Sequence, residues 1–169
     1  MTHHALGKLQ HAVRGLRARR HPRNFFTSAE RHQLVAAIQA AERNTSGEIR
    51  VHVERCCSGD TCSRAWDVFA ALQMDRTAHR NATLFYLAVQ DRKFAVVGDV
   101  GIHAVVPPSF WGTIRDAMAE DFRQGRFVAG LSHGISTVGQ SLKEYFAHRP
   151  DDRNELPDAI STRGDGAEA

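Results

Sequence analysis

A chain of 169 residues is long enough to bury one core without disulfides or a structural metal, and a 42% hydrophobic content excludes wholesale disorder. Six of its 22 lysines and arginines lie in residues 1–23, which hold no acid, so the remainder carries 16 basic against 19 acidic groups, a balance of −3. That balance argues against a domain-wide nucleic-acid surface, and no apolar run approaches the roughly 20 residues of a membrane span.

Residues 5–20 read as a short amphipathic helix, with Leu6, Leu9, Val13 and Leu16 at helical spacing. The arm of residues 1–23 has two readings: a helix packed on the domain or a solvated tail, and, from its basic flanks, a segment that docks on an anionic membrane surface or a membrane protein. The N-terminus lacks the apolar stretch of a secretory signal, so a cytoplasmic protein with peripheral membrane association is expected. His21-Pro22 ends the first helix, because the residue before proline is pushed out of the helical region. The domain proper is placed at residues 24–149. Thr27-Ser28-Ala29-Glu30 has the form of a capping box and starts a helix to about Arg43, burying Leu34, Val35 and Ile38.

Ile49, Val51 and Val53 alternate with Arg50, His52 and Glu54, the period of a half-buried strand. A loop over 56–60 leads to a helix over 61–74 that carries Ala65, Trp66, Phe69, Ala70 and Leu72. Residues 83–89 form a nearly continuous apolar run, the mark of a central strand, and 93–97 make a third strand after the turn Gln90-Asp91-Arg92. So short a gap makes the last two antiparallel. Residues 102–106 fit either a short strand or one helical turn. Two helices follow, over 108–124 and 127–146, the second with Leu131, Ile135, Val138, Leu142 and Tyr145 on one stripe. Residues 150–169 are expected to be a largely irregular tail. This order predicts an α/β chain, a three-layer α/β/α sandwich with a small mixed β-sheet whose first two strands are parallel.

Chain direction then gathers polar residues that lie far apart in sequence. Glu48 enters the first strand, Arg80 and Asn81 enter the second, and Asp99 leaves the third at the same end of the sheet, where Asp75 and Thr77 close the crossover helix. Glu48, Asp75 and Asp99 supply carboxylates, and two helix C-termini add negative potential. Oxygen-rich, sulfur-free surroundings suit a hard cation, Ca²⁺ or Mg²⁺. Arg80 works against this, because it can hold an anion or pair with Asp99. The competing account is a structural network in which the same groups cap loops. Glycines 98 and 101 are expected to permit a tight turn.

Cys56, Cys57 and Cys62 form no C-x-x-C pair, so zinc shared with His52 has little support. Arg64 follows Cys57 by seven positions, one too many for a thiolate phosphatase loop. Ordinary reduced loop cysteines are expected, with one redox-sensitive thiol as the alternative. There is no G-x-S-x-G, P-loop or G-x-G-x-x-G, and Phe110, Trp111, Phe122 and Phe127 are read as core.

Residues 25–161 resemble the TPM domain family. The resemblance is carried by Thr45-Ser46-Gly47-Glu48-Ile49-Arg50-Val51, by Met74, Thr77 and Arg80-Asn81, by Arg92-Lys93-Phe94-Ala95 with Gly98-Asp99 and Gly101-Ile102, and by Asn154-Glu155-Leu156-Pro157-Asp158. It implies an α/β/α sandwich, divalent-metal binding that includes calcium, and, from a plant member, acid phosphatase activity. Glu48 and Asp99 match motif positions and are the residues carried over. The expected function is a divalent-cation-binding interaction module, with a weak metal-assisted acid phosphatase as the alternative.

Overall fold

The computed structural model describes residues 21–163. The helix over 5–20, and the docking of the arm that contains it, lie outside the described residues. The described chain opens on a one-turn helix, α1 (Pro22–Phe25), with proline in its first turn, where no backbone donor is needed. At the predicted capping box, Thr27 Oγ1 accepts from the Glu30 N–H at 3.2 Å and Glu30 Oε2 accepts from the Thr27 N–H at 2.8 Å. Two otherwise orphaned donors are satisfied, and α2 (Ser28–Glu42) runs from there.

β1 (Ile49–Glu54) and β2 (Thr83–Ala88) are parallel, Ile49 opposite Thr83, and α3 (Thr61–Ala71) makes the crossover between them. β3 (Lys93–Gly98) returns antiparallel to β2, with Gly98 opposite Thr83. Two short turns then lead into α5 (Phe110–Arg123) and α6 (Phe127–Tyr145). The first of those turns is α4 (Val100–His103), so the stretch 102–106, open between strand and helical turn, begins in a helix and continues as a turn. Asp99 caps it, accepting from the Val100 N–H at 2.7 Å.

One face of the sheet packs Val51, Phe85 and Leu87 against Ile38 of α2, Met118 of α5, and Leu131, Ile135 and Val138 of α6. The other packs Leu84, Tyr86, Ala95 and Val97 against Ala65, Val68 and Phe69 of α3. The chain is a three-layer α/β/α sandwich around a small mixed sheet. Phe110, Trp111, Phe122 and Phe127 are partly buried against the first core. Tyr145 leaves the stripe predicted for it and is largely exposed, as is Trp66, which lies against Phe69.

One expectation is corrected. Every residue of β1 is buried, so Arg50, His52 and Glu54 do not face water. They form a buried polar row along the strand. There Arg64 of α3 grips Glu54 with two hydrogen bonds of 2.8 Å, the Tyr86 hydroxyl donates to the same carboxylate, and the His52 ring bonds Ser161 Oγ at 2.9 Å. In the tail, β4 (Ser161–Thr162) adds a two-residue strand that pairs in parallel with His52 and Val53. The sheet order is therefore β3-β2-β1-β4.

Candidate functional site

Three backbone hydrogen bonds define the sheet edge at which β1 and β2 begin and β3 ends. The Glu48 carbonyl accepts from the Thr83 N–H at 2.8 Å, the Ala82 carbonyl accepts from the Asp99 N–H at 2.9 Å, and the Arg80 carbonyl accepts from the Gly101 N–H at 2.8 Å. Glu48, Ala82 and Asp99 thus sit on neighbouring strands of one rim, and Arg80 and Asn81 lie beside them. Asp75 occupies the 3-10 turn Met74–Arg76 that follows α3, and its charge reaches Arg80.

The side chains on this rim divide into two groups. In the first, Arg80 forks onto Asp99 at 2.6 and 3.0 Å while Asp99 also caps α4. Asp99 is buried, whereas the Arg80 side chain is about half exposed at 48%. The fully buried Asn81 donates from Nδ2 to Ser46 Oγ at 3.3 Å, which leaves its carbonyl oxygen over. Asn81 Oδ1, Thr77 Oγ1 and Thr83 Oγ1 are buried and have no hydrogen-bond partner among the described residues.

Glu48 belongs to the second group. Its carboxylate accepts from the N–H groups of Glu155 and Leu156 at 2.8 and 3.2 Å, so the C-terminal segment closes over it. A pocket of about 220 Å³ adjoins it, lined by Glu42, Glu48, Asp152 and Asp158 together with Arg43 and Arg153. Burial pushes the Glu42 carboxyl up to about 8, opposed by the hydrogen bond it accepts from the Ile49 N–H and reinforced by the charges of Glu48 and Asp158. Burial likewise pushes Glu48 up to about 7, against its two backbone donors and with Glu155 and Asp158 adding to the rise. Near neutral pH these carboxyls hold protons that free carboxylates release.

The predicted residues therefore share one rim, but Glu48 and Asp99 answer to different partners. Among the described residues no group of three or more His, Cys, Asp or Glu side chains is arranged to hold a metal ion. Glu42 and Asp158 were missed by sequence reasoning. An acid in the last turn of an amphipathic helix reads as solvated, and only the Asn154-Glu155-Leu156-Pro157-Asp158 stretch hinted at its counterpart. The cysteines lie elsewhere. Cys57 is buried, Cys56 and Cys62 are exposed, all three are free thiols, and Arg64 is committed to Glu54.

Glycines 98 and 101 shape the rim by closeness, not by turning. A Cβ on Gly98 would lie 2.3 Å from the Trp111 ring, and one on Gly101 would lie 2.3 Å from the His79 carbonyl oxygen. A model of the TPM domain matches residues 20–141. The chain belongs to the TPM domain family. This TPM chain is also similar to BA42 from the psychrophilic bacterium Bizionia argentinensis, whose solution structure is 47% identical and superposes with a TM-score of 0.76 over 82% of this chain and 95% of that one. The N-terminal domain of cg2496 from Corynebacterium glutamicum, 16% identical, shares the fold with a TM-score of 0.55 over 69% of this chain and 74% of that one. No curated protein matches the TPM chain. No helix among its described residues is long and apolar enough to cross a membrane.

Proposed function

We propose that this TPM domain is a divalent-cation-binding interaction module whose ion is taken at the rim beside Asp99. The observation that carries the reading is the set of three buried oxygens, Thr77 Oγ1, Asn81 Oδ1 and Thr83 Oγ1, left without partners there. Each unsatisfied buried polar atom costs roughly 1–3 kcal/mol, so these oxygens favour a partner, either water or a cation. Hydroxyl, amide and carboxylate oxygens are the donors that Ca²⁺ and Mg²⁺ accept, and Mg²⁺ in particular is commonly held by one or two carboxylates with water completing its shell. Asp99, Asn81 and Thr77 would hold the ion. Asp75, whose charge reaches Arg80, contributes negative potential, while Glu48 keeps both oxygens on backbone N–H groups and stands apart from the ion. With so few charged ligands, affinity near 10⁻⁴ to 10⁻³ M, as in weak calcium modules, is expected.

The interaction partner in this reading is an anionic membrane surface or a membrane protein, engaged by the basic arm 1–23. Each basic residue near an anionic bilayer contributes about 1 kcal/mol. Co-sedimentation with anionic liposomes, with and without that arm, tests it; equal binding removes the membrane.

The cation is tested by NMR titration of the chelator-treated chain with calcium and magnesium. Amide shifts at Thr77, Asn81 and Asp99 are expected, and Arg80→Gln should tighten binding by freeing Asp99. Absence of any shift at millimolar ion removes the site. Turnover of a generic phosphomonoester that Asp99→Asn abolishes would replace the module with a metal-assisted phosphatase.

A further inference from the structure

At the opposite end of the sheet, where β1 and β2 finish, a cavity of about 450 Å³ opens between the β2–β3 hairpin, α1 and the adjoining ends of α5 and α6. Its wall is aromatic. Phe25 meets Phe127 edge-on with centroids 5.0 Å apart, Phe127 lies 5.2 Å from Phe122, and Phe122 meets Phe94 at 4.9 Å. Its mouth is cationic: Arg92, Lys93 and Arg123 line it, and no acid does. The three cations are not equally available. Arg123 pairs with Glu120 at 2.9 Å, and Lys93 Nζ donates to the carbonyls of Cys57 and Gly59. Arg92, exposed at the hairpin turn, makes no hydrogen bond or ion pair with any described residue.

We propose that this cavity binds a small organic anion, an apolar alkyl or aromatic body with a carboxylate head, and that Arg92 receives the head. The volume falls within the roughly 300–1,000 Å³ typical of small-molecule sites, which are lined by apolar and aromatic groups with a few polar groups fixing orientation. The position agrees with the general tendency of open α/β sheets to bind ligands beyond the carboxyl ends of their parallel strands. Charge complementarity decides among occupants. A neutral apolar molecule leaves Arg92 unanswered, and inorganic phosphate leaves the aromatic wall unused. The segment 1–20 has the apolar residues to fill the space but brings five more basic groups, Lys8, Arg14, Arg17, Arg19 and Arg20, to a mouth that is already positive. A guanidinium fork, by contrast, matches a carboxylate through two parallel hydrogen bonds.

Arg92 offers a clean variant, because it sits at φ 56°, in the left-handed region that glycine adopts without strain. Arg92→Gly should leave the melting temperature unchanged or raise it. The experiment is an NMR titration of the full chain with octanoate, compared with 1-octanol and inorganic phosphate. Octanoate should shift the signals of Phe25, Phe94 and Phe127, Arg92→Gly should weaken it about tenfold, the loss of a charge-assisted contact, and octanol should bind more weakly. Phosphate should shift nothing inside the cavity. The proposal is overturned if octanoate leaves those signals in place, or if octanol binds as well as octanoate. Equal octanoate affinity in Arg92→Gly overturns it too, as do cross-peaks between Leu6, Leu9, Val13 or Leu16 and the wall in the unliganded chain, which would show that the chain itself fills the space.

Discussion

Glu54 shows how a single residue type misleads when its surroundings are unknown. In sequence it is the outward member of an alternating strand. In the structure it is fully buried and held by Arg64 and Tyr86. Burial raises its pKa, but the hydrogen bonds from Arg64 and Tyr86 and the charge of Arg64 outweigh burial and leave it below the ordinary value. A depressed carboxyl stabilises the fold above its unfolded pKa, and that contribution disappears as pH falls through the folded value. Glu54→Gln should therefore destabilise the chain by about 2 kcal/mol at neutral pH, less than a fully buried pair because Arg64 still reaches water. Urea unfolding at pH 7 and pH 3 checks it: the gap between variant and parent should narrow at the lower pH. Glu42 carries the opposite sign. With its folded pKa near 8, the folded chain keeps a proton that the unfolded chain releases near 4.5, so stability falls as pH rises between those values. In a chelator, Glu42→Gln should flatten that decline in melting temperature.

At the scale of elements, local chemistry was legible wherever the signal was local. The capping box, the hairpin between β2 and β3 and the apolar run of β2 all appear as predicted. The alternation in β1 was legible as a strand but not as a buried one, because period two separates the faces of a strand without revealing what covers them. Here Arg64 of α3 neutralises Glu54, and Ser161 of the C-terminal segment meets His52. The stretch 102–106 was undecidable because the helical turn that enters it begins at the Asp99 cap, which the sequence places only at the exit of the third strand. Close approach was equally invisible. Gly98→Ala and Gly101→Ala should each cost about 1–3 kcal/mol by overpacking. Trp111→Leu should recover part of the loss at Gly98, whose obstacle is a side chain, and none at Gly101, where the obstacle is the backbone of His79 and Arg80. A double-mutant cycle by thermal unfolding separates the two.

For the whole molecule, the topology brought Glu48, Arg80, Asn81 and Asp99 to one rim, as chain direction alone required. The grouping within that rim was not legible, because it depends on residues 148–158 returning over Glu48 after more than a hundred intervening positions. The apolar cavity at the far end escaped notice for a related reason. Its aromatic residues come from α1, β3, α5 and α6, and each by itself reads as ordinary core.

The two-residue strand at Ser161–Thr162 divides the amides of β1 into two kinds. On one side β1 is paired with β2 along all six residues, in the middle of the sheet; on the other it meets β4 at only His52 and Val53. Hydrogens bonded toward β2 should exchange with deuterium only when the whole domain opens, whereas those facing β4 should exchange each time the C-terminal segment lifts. Alternate amides along one strand would then differ in protection by orders of magnitude, and uniform protection along β1 would mean that β4 is as firmly seated as the rest of the sheet.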